Sequence, residues 1–259
     1  MKGKIALWDA KSGALVRTFD GLGESLNDID FSPDGKSVVA CTWGKELRMW
    51  DVATGAVVRT LNGQQAGCAR LAFSPRGDIV VGSGSEGALL VWDASRGTLK
   101  ERLKTAPGYY GVAFSNDGRY IAAGGDDGTV SVWDAATLQP VRSFGAHLSS
   151  VFGLAFSPDG RRLVTSGDAG VVLIWDVVSG KQLGELKGHS SRVWDLAWSE
   201  ANGRIATASA DLTVRIWDPT TGECVSILAD FTDPVYSVRF SPDGTSLFAN
   251  SGGSEFLVY

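Results

Sequence analysis

Histidine occurs only twice in this chain and cysteine only three times, among 259 residues. His147 and His189 have no second histidine, cysteine or carboxylate at a metal-ligand spacing, so no metal site is expected. Cys41, Cys68 and Cys224 include no Cys-x-x-Cys pair, and the expectation is three packed free thiols in a reducing compartment. Lysine and arginine form no run, and the net charge is -5. That excludes a nucleic-acid or anionic-membrane surface, since both need clustered positive charge. No apolar run is long enough to cross a bilayer. The opening MKGKIALWD lacks the apolar core of a secretion signal, so a cytoplasmic protein is expected. Helical periodicity, linkers and low-complexity segments are missing too. Glycine-rich strings such as Gly82-Ser83-Gly84-Ser85-Glu86-Gly87 lie between two strands, so no helix follows to cradle a phosphate. Gly125-Asp126-Asp127-Gly128 sits in a turn too short to chelate calcium.

What the chain has is a period. Trp-Asp pairs stand at Trp8-Asp9, Trp50-Asp51, Trp92-Asp93, Trp133-Asp134, Trp175-Asp176 and Trp217-Asp218, and Tyr259 takes the same slot at the end. Successive slots are 42 residues apart, with a single 41 between Trp92 and Trp133. Each unit carries an aromatic followed by a tight turn, as in Phe31-Ser32-Pro33-Asp34-Gly35 and Phe156-Ser157-Pro158-Asp159-Gly160. Proline presets φ, aspartate bonds its own backbone, and glycine accepts positive φ. Short apolar runs on either side of such turns predict four antiparallel strands per unit. A lone four-stranded sheet cannot bury both faces, so repetition must supply the cover. The apolar third strands (IALW, LRMW, LLVW, VSVW, VLIW, VRIW) suit sheets covered on both sides.

Over its whole length the chain resembles the WD-repeat β-propeller family. The resemblance implies an all-β propeller of four-stranded antiparallel blades, as one domain over residues 1–259. Seven Trp/Tyr slots point to the seven-bladed type with incomplete terminal blades, short of one outer, first and second strand segment. Six-bladed closure is the alternative, with Ala14–Phe19 completing the last blade. The resemblance also assigns a polar network to His189, Thr207, Asp211 and Trp217. A His–Asp pair beside Thr207 and Ser209 invites a catalytic-triad reading, but the spacing is that of a scaffold network. Other units depart from it. His147 has Ala169 in the aspartate slot and Asp168 one residue early. Asp127 has Thr105 and Ala123 where histidine and hydroxyl are expected. Glu86, Gly44 and Gly253 take the aspartate slot elsewhere. Those units are expected to hold by packing, with looser turns.

Family members commonly bind partners on a rim at the mouth of the central channel. Carried over by slot, that rim is Asn27, Tyr110, Phe152, Trp194 and Tyr236, with Arg192, Trp43, Asp126 and Asp168 beside them. Aromatics flanked by a few charges suit a protein or peptide hot spot. Two outcomes stay open. In a regular strand these aromatics share the parity of core residues and would be buried between sheets. A bulge would turn them outward. The expected function is a non-catalytic scaffold that binds protein or peptide, without cofactor, nucleic acid, membrane or small-molecule substrate. The alternative is a regulatory or sensor domain of a larger bacterial signalling protein, such as one with a Ser/Thr kinase domain. A propeller enzyme is disfavoured because the loops are short.

Overall fold

The computed structural model describes residues 5–20, 22–23, 26–84, 87–104, 108–252 and 256–258, with backbone alone for Tyr109, Tyr110 and 256–258. Ser85, Glu86, Thr105, Gly253 and Tyr259 lie outside the described residues, as does the side chain of Tyr110. The chain divides into two compact units, Met1–Tyr109 and Tyr110–Tyr259.

Three sheets make up the first unit. The first has two strands, Ile5–Trp8 and Leu15–Phe19. The second runs Leu26–Phe31, Ser37–Thr42, Leu47–Asp51 and Val57–Leu61. The third runs Cys68–Phe73, Ile79–Gly84, Ala88–Asp93 and Leu99–Lys104. The second unit has four. The fourth sheet runs from Tyr109–Phe114 through Tyr120–Gly125 and Thr129–Asp134 to Pro140–Gly145. The fifth is Val151–Phe156, Arg162–Gly167, Val172–Asp176 and Gln182–Leu186. The sixth is Val193–Trp198, Ile205–Ser209, Val214–Trp217 and Cys224–Leu228. The seventh has Val235–Phe240, Leu247–Ser251 and Phe256–Val258. Every pairing is antiparallel between sequence neighbours, the meander that the turns predict.

The turns form for the reasons their residues give. In Ser32–Gly35 the serine hydroxyl donates to Asp34 Oδ1 at 2.6 Å and the Lys36 N–H reaches the same oxygen at 3.0 Å. Gly35 takes φ +68°, where a side chain would be strained. The aspartate of each Trp-Asp pair has a turn of its own. Asp51 Oδ1 accepts the Thr54 N–H and hydroxyl, both at 2.7 Å. Asp176 does the same with Ser179 at 2.8 and 2.6 Å. The pair therefore joins a strand-ending tryptophan to the residue that folds the chain back.

Within each unit, sheets stack through apolar side chains. Leu71 and Phe73 pack with Val39, Cys41 and Met49 of the sheet before. Leu196 and Trp198 pack likewise with Val164, Val172 and Ile174. Polar stitches run beside them: Asp28 and Asp30 accept the backbone N–H groups of Leu71 and Phe73 at 2.9 and 2.8 Å. Asp195 accepts that of Val238 at 3.2 Å. The three thiols are free, and Cys224 packs against the core of the sixth sheet. Cys41 and Cys68 are buried, and Cys224 is half-buried. The neighbouring Cys41 thiol and burial push Cys68 well up, which makes it a poor nucleophile.

Candidate functional site

The sixth sheet assembles the polar chain from four places. His189 precedes its first strand, Thr207 lies in the second, Asp211 in the next turn and Trp217 at the end of the third. His189 Nδ1 lies 2.7 Å from Asp211 Oδ2, and Nε2 lies 2.7 Å from Thr207 Oγ1. The Trp217 indole N–H donates to Thr207 Oγ1 at 2.8 Å. Burial pushes the His189 pKa down, against the opposing hydrogen bond and charge of Asp211. A neutral ring then donates from Nδ1 to the carboxylate and accepts the Thr207 hydroxyl at Nε2. Burial would raise Asp211, but the Thr213 hydroxyl and His189 together hold it below the usual carboxylate range. Thr207 and Ser209 are fully buried, and Ser209 Oγ is engaged by the carbonyls of Ser191 and Arg192. Both hydroxyls are closed to solvent and taken up by hydrogen bonds within the sheet, as in a scaffold network.

The fifth sheet keeps more of this chain than its sequence suggests. His147 Nε2 meets Thr165 Oγ1 at 2.8 Å, and the Trp175 indole donates to the same hydroxyl at 2.9 Å. Only the aspartate is displaced. Ala169 takes φ +58°, and Asp168 turns to Ser149 and Arg192 instead. Where the hydroxyl is missing, the indole finds main chain. Trp50 donates to the Asp20 carbonyl at 3.1 Å and Trp92 to that of Asn62 at 2.8 Å. Beside the packing expected of such sheets, the buried donor is still met.

The rim aromatics sit at bulges. Pairing passes from Val151↔Gly167 to Gly153↔Ser166, from Val193↔Ser209 to Asp195↔Ala208, and from Val235↔Ser251 to Ser237↔Asn250. Phe152, Trp194 and Tyr236 are the residues skipped, which removes them from the alternation that would bury them. Phe152 and Trp194 are half-buried and Tyr236 is exposed. Their rings touch in sequence: Phe152 and Trp194 have centroids 5.1 Å apart, Trp194 and Tyr236 5.7 Å. The Arg192 guanidinium lies 4.8 Å from the Phe152 centroid and 4.6 Å from that of Trp194. Its Nε donates to Asp168 Oδ1 at 2.5 Å. Burial would raise Asp168, but the Ser149 hydroxyl (2.8 Å) and Arg192 hold it low and ionised. The buried Trp194 indole N–H has no acceptor among the described residues.

The same unit holds Asp126, whose side chain is exposed and whose carbonyl accepts the Ser150 hydroxyl at 3.4 Å. Tyr110 belongs to the fourth sheet, and its side chain lies outside the described residues. Asn27 and Trp43 belong to the first unit. Asn27 is also at a bulge, but its amide is spent on the Cys68 carbonyl at 2.7 Å. Trp43 is exposed. Two neighbours of the arc escaped the sequence reading. Ser149, signalled only by the Ser149-Ser150 pair, fixes Asp168. Asp233 lies beside Tyr236, since a Cβ on Gly252 would come within 3.3 Å of the tyrosine ring and 3.5 Å of Asp233.

Six matches to the family described as WD domain, G-beta repeat, cover residues 13–51, 55–93, 100–134, 138–176, 180–218 and 222–255. The chain belongs to the WD-repeat family. Comparison with curated proteins returns no match. The antiparallel sheets are thus WD-repeat β-propeller blades, and WD repeats generally mediate protein–protein interaction as non-catalytic scaffolds.

Proposed function

We propose that this WD-repeat chain binds a protein or peptide segment across Phe152, Trp194 and Tyr236. One observation carries the reading: three successive sheets hold an aromatic out of register at a bulge, and the rings still form a continuous, part-exposed stack. The bulge also occurs at Asn27 and Ala69, but among the described residues only in these three sheets does it hold aromatic rings that touch in sequence. Large, rigid, half-desolvated rings bury area at little entropic cost. Arg192, stacked on two rings and pinned by Asp168, is pre-set to donate its remaining N–H groups to a ligand carbonyl. Exposed Asp126 and Asp127 and half-buried Asp233 leave the surroundings acidic. They favour a segment that brings a cationic side chain next to an apolar one.

The test is selection of a random dodecapeptide library on the whole protein, followed by titration of the enriched peptides. Trp194→Ala should weaken binding by about 2 kcal/mol or more, as loss of a central anchor does, with the melting temperature little changed. Peptides that bind Trp194→Ala as well as the parent protein would refute the site.

A further inference from the structure

Met49 and Phe73 form the floor of a cleft of about 270 Å³ between the second and third sheets, with Ser32, Asp34, Ser37 and Arg76 at its mouth. Each of these two sheets has all four strands. Ser37 leaves the cleft open. It pairs with Asp51 as Tyr120 pairs with Asp134 and Arg162 with Asp176, so the three share a slot. Tyr120 of the fourth sheet packs in one cluster with Phe156 of the fifth. The Arg162 guanidinium of the fifth sheet lies 5.0 Å from the Trp198 ring centroid of the sixth. Phe73 is the matching ring of the third sheet, and a serine is too short to cover it.

Arg76 gives the cleft its charge. In four other turns that position is aspartate, and Asp34, Asp117, Asp159 and Asp243 accept the turn serine's hydroxyl at 2.6 or 2.7 Å. Ser74 donates to Asp78 instead, at 2.7 Å. The turn is therefore held without an aspartate at position 76, and an arginine stands there without loosening it. Arg76 is exposed and has no hydrogen-bond or ion-pair partner among the described residues. Asp34 is already engaged: its Oδ1 takes the Ser32 hydroxyl and the Lys36 N–H, and its Oδ2 lies 3.9 Å from Lys36 Nζ. The unspent charge at the mouth is positive.

We propose that this cleft binds a small free carboxylic acid with one compact apolar group, an aromatic ring or a branched chain. The apolar group lies against Met49 and Phe73, where the flexible thioether adapts to its shape. The Arg76 fork takes the ionised carboxylate through paired N–H donors, a geometry that a point charge would not give. The Ser37 hydroxyl, with no acceptor among the described residues, adds a further donor. The volume stands near the lower end of small-molecule sites, roughly 300 Å³, so the apolar group is limited to about one ring. No covalent step is involved.

The probes are phenylacetate and 4-methylpentanoate, titrated into the whole protein and followed by saturation-transfer NMR and calorimetry. Saturable binding of at least one acid is expected, and its uncharged amide should bind at least tenfold more weakly. Arg76→Asp installs the residue of the other turns, and Ser37→Tyr fills the cleft as Tyr120 does between the fourth and fifth sheets. Each should weaken binding at least tenfold with the melting temperature held. Arg76→Asp alone decides the matter if the larger tyrosine disturbs the fold. The proposal is overturned if neither acid binds saturably, if the amide binds as well as the acid, or if Arg76→Asp leaves binding unchanged. Tighter binding of acetyl-Gly-Gly-Phe than of phenylacetate would also overturn it, because the cleft would then be made for a chain terminus. None of these outcomes bears on the Trp194 site, which lies in the second unit.

Discussion

The two histidines make the chain's polar chemistry measurable residue by residue. Burial pushes His147 down to about 4, against the charge of Asp168, and lowers His189 as well. The unfolded chain therefore holds more protons than the native one between pH 6.5 and about 4. The stability from keeping these rings neutral is complete above pH 6.5 and falls as the pH drops through that window. Carboxylates held below their usual range, such as Asp176 and Asp218, act only at lower pH. Melting temperature should thus decline between pH 6.5 and 4.5, and the decline should flatten in His147→Gln. An unchanged slope would mean that His147 is not buried neutral. Aspartates differ in the same way. Asp211→Ala strands the His189 Nδ1–H and should cost about 1–3 kcal/mol, the penalty for an unmet buried donor. Asp168→Ala should cost less, because Arg192 can turn to solvent. Equal losses in urea titration would contradict the roles assigned to the two. The full network was legible in the sequence because all four slots carry their residues. The partners of Asp168 were not, because a one-residue shift redirects the carboxylate out of its own sheet to Arg192.

Strand and turn account for what the sequence left open about the rim. Parity along a strand allowed burial or exposure of Phe152, Trp194 and Tyr236, because one bulge inverts every side chain beyond it. The bulge also occurs at Asn27 and Ala69, which carry no aromatic. It therefore belongs to the repeat and not to the rings, and nothing in one strand's residues announces it. The turn after the second strand of the fifth sheet shows local strain of the opposite kind. Asp168–Gly170 forms a short 3-10 turn in which Ala169 is held at φ +58° and is exposed. An L-residue there costs about 1–2 kcal/mol. Ala169→Gly should raise stability by up to about 1 kcal/mol, the entropy of a freer unfolded chain taking back part of the gain. Ala169→Val should lower it. Chemical denaturation of the three proteins checks the order, and a less stable glycine variant would refute the strain.

At the scale of the molecule, a spacing of 42 residues fixed by a strand-ending tryptophan and a turn-forming aspartate was enough to read the fold, since both residues do local work in almost every repeat. Which faces remain uncovered was not readable from any one repeat, because Ile29 and Leu71 look alike until the sheet before each is known. Repetition of this kind makes stability a sum of terms from each sheet and its contacts with neighbours. The terms differ widely along the chain. Ile205–Ser209 is buried at every position and carries Thr207, the centre of the full polar network. Leu15–Phe19 is mostly exposed, and its partner strand ends in the exposed Trp8. Local opening should follow that difference. Hydrogen exchange resolved by peptide should be slowest over Ile205–Ser209 and fastest, among the strands, over Ile5–Trp8 and Leu15–Phe19. Asp211→Ala should speed exchange in the sixth sheet and leave the first sheet unchanged, because neither the network nor its packing extends that far. Equal protection in the two sheets, or a response of the first sheet to Asp211→Ala, would show that the chain opens as one cooperative block.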